Sequence, residues 1–188
     1  MSTRGLVLVS LFAAVIVALG LLPPITLGFI PVPITAQTLG VMLAGLVLGA
    51  KRGVLSVALV LLLVIVGLPV LSGGRGGLAV FAGPTVGYLV GWLPAVFVTG
   101  LIAERIVRGR QGAITQTGCF FAAAVLGCIL VLYALGTLGV MLVTGLPLIK
   151  ALSGALAFIP GDLVKAGVAA TVARAVQAGY PLLPIRGR

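Results

Sequence analysis

Asp162 and Lys165 stand three residues apart in a chain whose one other carboxylate is Glu104 and which contains no histidine. Residues three apart on a helix share a face, so this pair would present two acceptor oxygens beside three N–H donors. Two readings fit that spacing. The pair can be a structural ion pair that lowers its own burial cost, or it can grip a polar ligand. Arg75 is the second candidate. Two glycines flank it on each side, and glycine permits positive φ and close backbone approach. Such a loop can fold over a cavity and aim one guanidinium at an anion, for which its planar fork suits a carboxylate better than an ammonium does. The other reading of the loop is a solvated linker. It is no phosphate loop, because the Lys-Ser/Thr that closes one is missing.

Enzymatic chemistry finds little support. There is no histidine to act as base or metal ligand and no H-E-x-x-H. Glu104 falls on the opposite membrane side from Asp162 in the topology below, so no carboxylate pair forms. A Ser-Lys dyad could be built only by forcing Ser72 or Ser153 into the role. Cys119 and Cys128 lie nine positions apart, on opposite faces of a helix. They cannot share a disulfide or a metal there, and small apolar filler is their expected role.

The elements that must carry these residues follow from composition. The chain has 188 residues, 61% hydrophobic and 7% charged, whereas soluble domains carry roughly a quarter charged residues. This excludes an ordinary water-soluble fold and leaves an all-α integral membrane protein. A bilayer-crossing helix takes about 20 apolar residues. That length leaves 112–149 open, too long for one upright helix and barely enough for two, and charge placement selects one, giving six spans at about 5–22, 34–50, 53–71, 84–103, 113–140 and 162–179 in a single transmembrane domain. Pro23-Pro24, the pair Lys51-Arg52, the loop 72–77, the polar stretch 104–111 and Pro160-Gly161 divide them. The first span is too long for a signal-peptide core, and Pro23-Pro24 occupies the cleavage position, so it is expected to be retained.

The net charge of +10 would suit a nucleic-acid partner, but the bases are scattered between apolar runs. They read as topology signals. With one span over 113–140, the positive-inside rule puts Arg4, Lys51, Arg52, Arg105, Arg108, Arg110, Arg174, Arg186 and Arg188 in the cytoplasm with both termini. Arg75, Lys150 and Lys165 are left outside, with Asp162. Ala14 with Ala18, Gly45 with Gly49, and Gly83 with Gly87 and Gly91 are small-residue patterns that let helices approach closely.

Four ordered motifs carry a family resemblance: Pro33 to Gly40 (PITAQTLG), the GGRGG loop around Arg75, Phe81-Ala82-Gly83-Pro84-Thr85-x-Gly87-Tyr88, and Pro160-Gly161-Asp162-x-x-Lys165. Together they resemble the BioY family, the biotin-specific substrate-binding (S) components of energy-coupling factor (ECF) transporters, over essentially the whole chain. The resemblance implies a six-helix S-component bundle with a pocket near the outer surface, capped by the loops between helices 1 and 2, 3 and 4, and 5 and 6. It implies Asp162 and Lys165 as biotin contacts, with Arg75 and the Gln37 region near the ligand. Ala14 and Ala18 would face a transmembrane coupling protein, which acts with two ATPases. No cofactor or metal is implied, and ATP hydrolysis would reside in the partners.

Biotin's chemistry suits this residue set. Its ureido ring offers two N–H donors and a carbonyl, which Asp162, Lys165 and the Gln37 amide could match, while Arg75 suits the carboxylate of the tail. Phe81, Tyr88 and Phe158 could wall the apolar ring and chain. The competing expectation is a self-contained, ion-coupled carrier working as an oligomer. Such carriers hold ionisable relays at mid-membrane, whereas here the charged residues gather near one end of the spans.

Overall fold

The computed structural model describes residues 2–28, 31–108 and 112–183. Arg110, Arg186 and Arg188, counted above as cytoplasmic, lie outside the described residues, and of Arg108 only the backbone is described. Among the described residues there are seven α-helices: α1 (Thr3–Gly20), α2 (Gln37–Ile65), α3 (Val86–Arg108), α4 (Ala113–Val125), α5 (Leu132–Thr144), α6 (Leu148–Leu156) and α7 (Ile159–Gly179). Among the described residues there is no strand, only two isolated antiparallel bridges, Ile25 with Ile34 and Leu71 with Arg75.

The first helix starts where Ser2 accepts the Gly5 N–H on its hydroxyl oxygen at 3.3 Å, a side-chain cap for an otherwise orphan donor. Its buried positions are Gly5, Val9, Ala13, Ile16 and Gly20, the three-and-four spacing of one helical face. Ala14 and Ala18 point the other way and are exposed.

The second element is two helices joined at Gly49, whose φ of 81° and ψ of −177° break the helix at a conformation that favours glycine. In a straight helix Ala44 and Gly53 would lie about 13 Å apart along the axis. Here a Cβ on Gly53 would sit 3.1 Å from the Ala44 carbonyl oxygen, and both Gly45 and Gly53 press on Val96 of α3. The halves are therefore folded back on each other. Glu104 of α3 fixes the reversal: its Oε1 accepts the N–H of Ala50, first in the returning half, at 3.0 Å. Lys51 and Arg52, expected to end the second span, instead lie in the first turn of the third. The lone Gly49 had no charge to advertise it.

Counting the halves of α2 separately, six helical segments cross the bundle. The fifth runs without interruption through 113–144, because α4 and α5 are joined by a π-helical turn at Leu126–Val131. The sixth is α7, bent by 46° from the short α6. The chain turns at Ala157–Phe158, not at Pro160-Gly161 as expected, and Pro160 lies within the first turn of α7, where a missing N–H costs nothing.

The two halves of α2 are short for a hydrocarbon core of about 30 Å. Irregular backbone at 32–36 and 66–77 completes them at one end of the bundle. Non-helical backbone at that depth is tolerated where its polar groups find protein partners or line a cavity. Supplying those partners is what most of the polar side chains at this end do.

Candidate functional site

Gln37 is the first of them, 2% exposed at the start of α2. Its Nε2 donates to the carbonyls of Ile16 (3.3 Å) and Val70 (3.1 Å), and its Oε1 accepts the Ser72 N–H at 3.0 Å. Ser72 in turn donates its hydroxyl to the Leu22 carbonyl at 3.0 Å. One amide thus ties α1, α2 and the two loops that follow them. Both of its N–H groups are engaged, so Gln37 positions the site and has no free donor for a ligand.

Asp162 lies in the first turn of α7, 3% exposed. Its Oδ1 accepts from the Lys165 ammonium at 2.8 Å and from the Thr38 hydroxyl at 3.3 Å, and its Oδ2 accepts from the Tyr133 hydroxyl at 2.7 Å. Lys165 also donates to the Thr35 carbonyl at 2.6 Å and to Thr38 Oγ1 at 3.0 Å. The expected pair exists, and it is part of a network that joins the start of α2, α5 and α7. A buried charge pair needs such extra hydrogen bonds to be tolerated. All three ammonium protons have protein acceptors, so a ligand carbonyl would bond Lys165 by replacing one of them.

These groups form one wall of a narrow chamber of about 60 Å³ at the same end of the bundle. Beside them Tyr88, Tyr133 and Phe158 pack edge to face with centroids 5.9–6.4 Å apart, and Trp92, Leu89 and Leu132 also line the chamber. Gly136 makes room for Tyr88, since a Cβ there would overlap its ring. Arg75 reaches the chamber from its loop, where Nε donates to the Ser72 carbonyl at 3.2 Å. The site therefore holds two cations and one carboxylate within aromatic walls, an excess of one positive charge suited to a small, largely apolar anion.

Tyr88 and Phe158 line the chamber. Phe81 does not: it lies half-buried on a 3₁₀ turn at Leu78–Ala82 and packs on the hydrophobic core instead. Neither Ser72 nor Ser153 meets a lysine ammonium, because Ser153 donates to the Lys150 carbonyl at 2.9 Å. Cys128 is buried with its sulfur 3.5 Å from Thr99 Oγ1. Among the described residues no cluster of metal-binding side chains occurs. Sequence reasoning missed Thr35, Thr38, Trp92 and Tyr133. Thr35 and Thr38 lie inside the PITAQTLG motif, which was the available signal; Tyr133 and Trp92 are flanked by apolar residues without one.

Comparison with known proteins gives the chain its relatives. The sequence model described as the BioY family matches residues 1–182. The chain is 64% identical to the biotin transporter BioY of Rhizobium etli over 99% of this chain and all of that one. It is 54% identical to the biotin transporter BioY of Rhodobacter capsulatus, over 95% of each. Among solved structures it resembles the S-component for biotin from an ECF-type ABC transporter, with a TM-score of 0.87, 34% identity and 95% of each chain covered.

Proposed function

The chain belongs to the BioY family, and from that membership we propose that it captures biotin and carries it inward as the substrate-binding subunit of an ECF-type ABC transporter. The observation that carries this reading is the buried network of Asp162, Lys165, Thr38 and Tyr133 in a chamber that is otherwise apolar. Biotin has the complementary shape: one polar ureido head, an apolar bicycle and chain, and a terminal carboxylate. The ureido N–H groups donate to Asp162, the ring and chain lie along Tyr88, Phe158 and Trp92, and the carboxylate meets Arg75. A site built to hydrogen-bond its ligand rejects analogues that leave its own polar groups unpaired.

This multi-pass membrane protein sits in the cell membrane with the chamber outward. That orientation puts Lys51, Arg52, Arg105 and Arg174 on the cytoplasmic side, along with both termini. The exposed Ala14 and Ala18 of α1 offer a small-residue face for a transmembrane coupling protein. Two ATPase subunits complete the assembly and supply the hydrolysis. The test is equilibrium binding of labelled biotin to the purified chain with desthiobiotin as competitor. Saturable binding supports the reading, and unchanged binding by both Asp162→Asn and Lys165→Ala would remove the site assignment.

A further inference from the structure

Beside Arg75 the chamber adjoins a much wider trough of about 490 Å³. Arg75 and Thr85 line both spaces. Beyond them the trough walls are Pro31 and the glycine, alanine, valine and proline residues of the segment 74–84, which bring no side-chain hydrogen-bonding group. The lining also leaves free volume: a Cβ on Gly74 would meet nothing within 4 Å, and one on Gly83 only the Val80 carbonyl oxygen at 3.5 Å. The wall thus changes character at Arg75. On the chamber side polar groups are paired and aromatic rings fix the shape, whereas on the far side nothing selects for or against an added group.

We propose that this trough receives groups attached to the carboxyl end of the ligand, so that the chain binds carboxyl-amidated biotins, including biotin joined through an amide to an amino acid, as well as the free acid. The proposal rests on the reading above, in which biotin occupies the chamber with its tail at Arg75. Two separable steps follow. Converting the acid to its primary amide removes the charge facing Arg75 and turns an ion-paired hydrogen bond into a neutral one, which weakens binding about 10-fold. Lengthening the amide then adds atoms only in the trough, and changes affinity by less than about 3-fold.

The experiment is competition against labelled biotin on the purified full chain with three probes: biotin, biotin amide and Nε-biotinyl-lysine. The expected order is biotin first, with the two amides together behind it. Ala79 is exposed, lines the trough and does not line the chamber, so Ala79→Trp should weaken Nε-biotinyl-lysine at least about 10-fold while leaving biotin and its amide unchanged. Gly83→Leu, at an extended φ of −91°, is a second obstruction should the first fail to fold, with retained biotin binding as the check on folding. The proposal is overturned if Nε-biotinyl-lysine fails to compete where biotin amide does, or if both obstructions leave it untouched. Equal binding of acid and amide would instead remove Arg75 as the carboxylate partner while the comparison between the amides still decides the trough. Absence of any biotin binding would refute the underlying reading and this proposal with it.

Discussion

Tyr133 of α5 donates its hydroxyl proton to Oδ2 of Asp162 of α7 at 2.7 Å. An ionised carboxylate has about four lone-pair positions. Lys165, Thr38 and Tyr133 fill three of those on Asp162, which leaves one open to a ligand N–H. A second ligand N–H must therefore displace an existing donor. Tyr133→Phe frees that second position without displacing a donor, so biotin binding should be retained or strengthened by up to about 10-fold, roughly 1.5 kcal/mol. Binding isotherms of the two proteins, with helix content compared by circular dichroism, check this.

The ion pair beneath that contact should show a characteristic non-additivity. Lys165→Met strands a buried carboxylate, which costs about 3–5 kcal/mol. Asp162→Asn together with Lys165→Met removes both charges and should be less destabilised than Lys165→Met alone. Thermal unfolding of the single and double variants in detergent measures the coupling.

Gln37→Ala tests the positioning role of that amide. It deletes three hydrogen bonds and leaves the Ser72 N–H and Val70 carbonyl without this partner, at a cost of about 2–4 kcal/mol. The expected outcome is a lower melting temperature with the ratio of biotin to desthiobiotin affinities unchanged. A changed ratio would make Gln37 a direct contact.

Asp162 and Lys165 could be found because charge is rare in an apolar chain and their spacing puts them on one helical face. Six crossings could be found from hydropathy and length. The break at Gly49 was displaced onto Lys51-Arg52 because a backbone conformation leaves no hydropathy signal, whereas a pair of bases does. Gln37 stood in a recognisable motif, but its partners Val70 and Ser72 are brought to it only by the fold. Tyr133 lay within a mainly apolar stretch of 113–144 without charged residues, where no periodicity distinguishes a ring that faces a cavity from one that faces lipid.

Ala14→Trp and Ala18→Trp enlarge an exposed face that does not line the chamber. Biotin binding by the isolated chain should be unchanged within about 2-fold, while co-purification with the coupling protein and ATP-dependent biotin uptake should fall sharply. Normal assembly of both variants would move the partner interface elsewhere.

The central claim, that biotin is held in this chamber by the Asp162 network, has a built-in reporter. Trp92 is the one tryptophan in the chain and lines the chamber, so titrating the purified protein with biotin while recording its emission observes the site itself. The account predicts a saturable change that ends at one biotin per chain and is abolished in Asp162→Asn. A wild-type emission that does not respond to biotin, or an Asp162→Asn protein that titrates like the wild type, would contradict it.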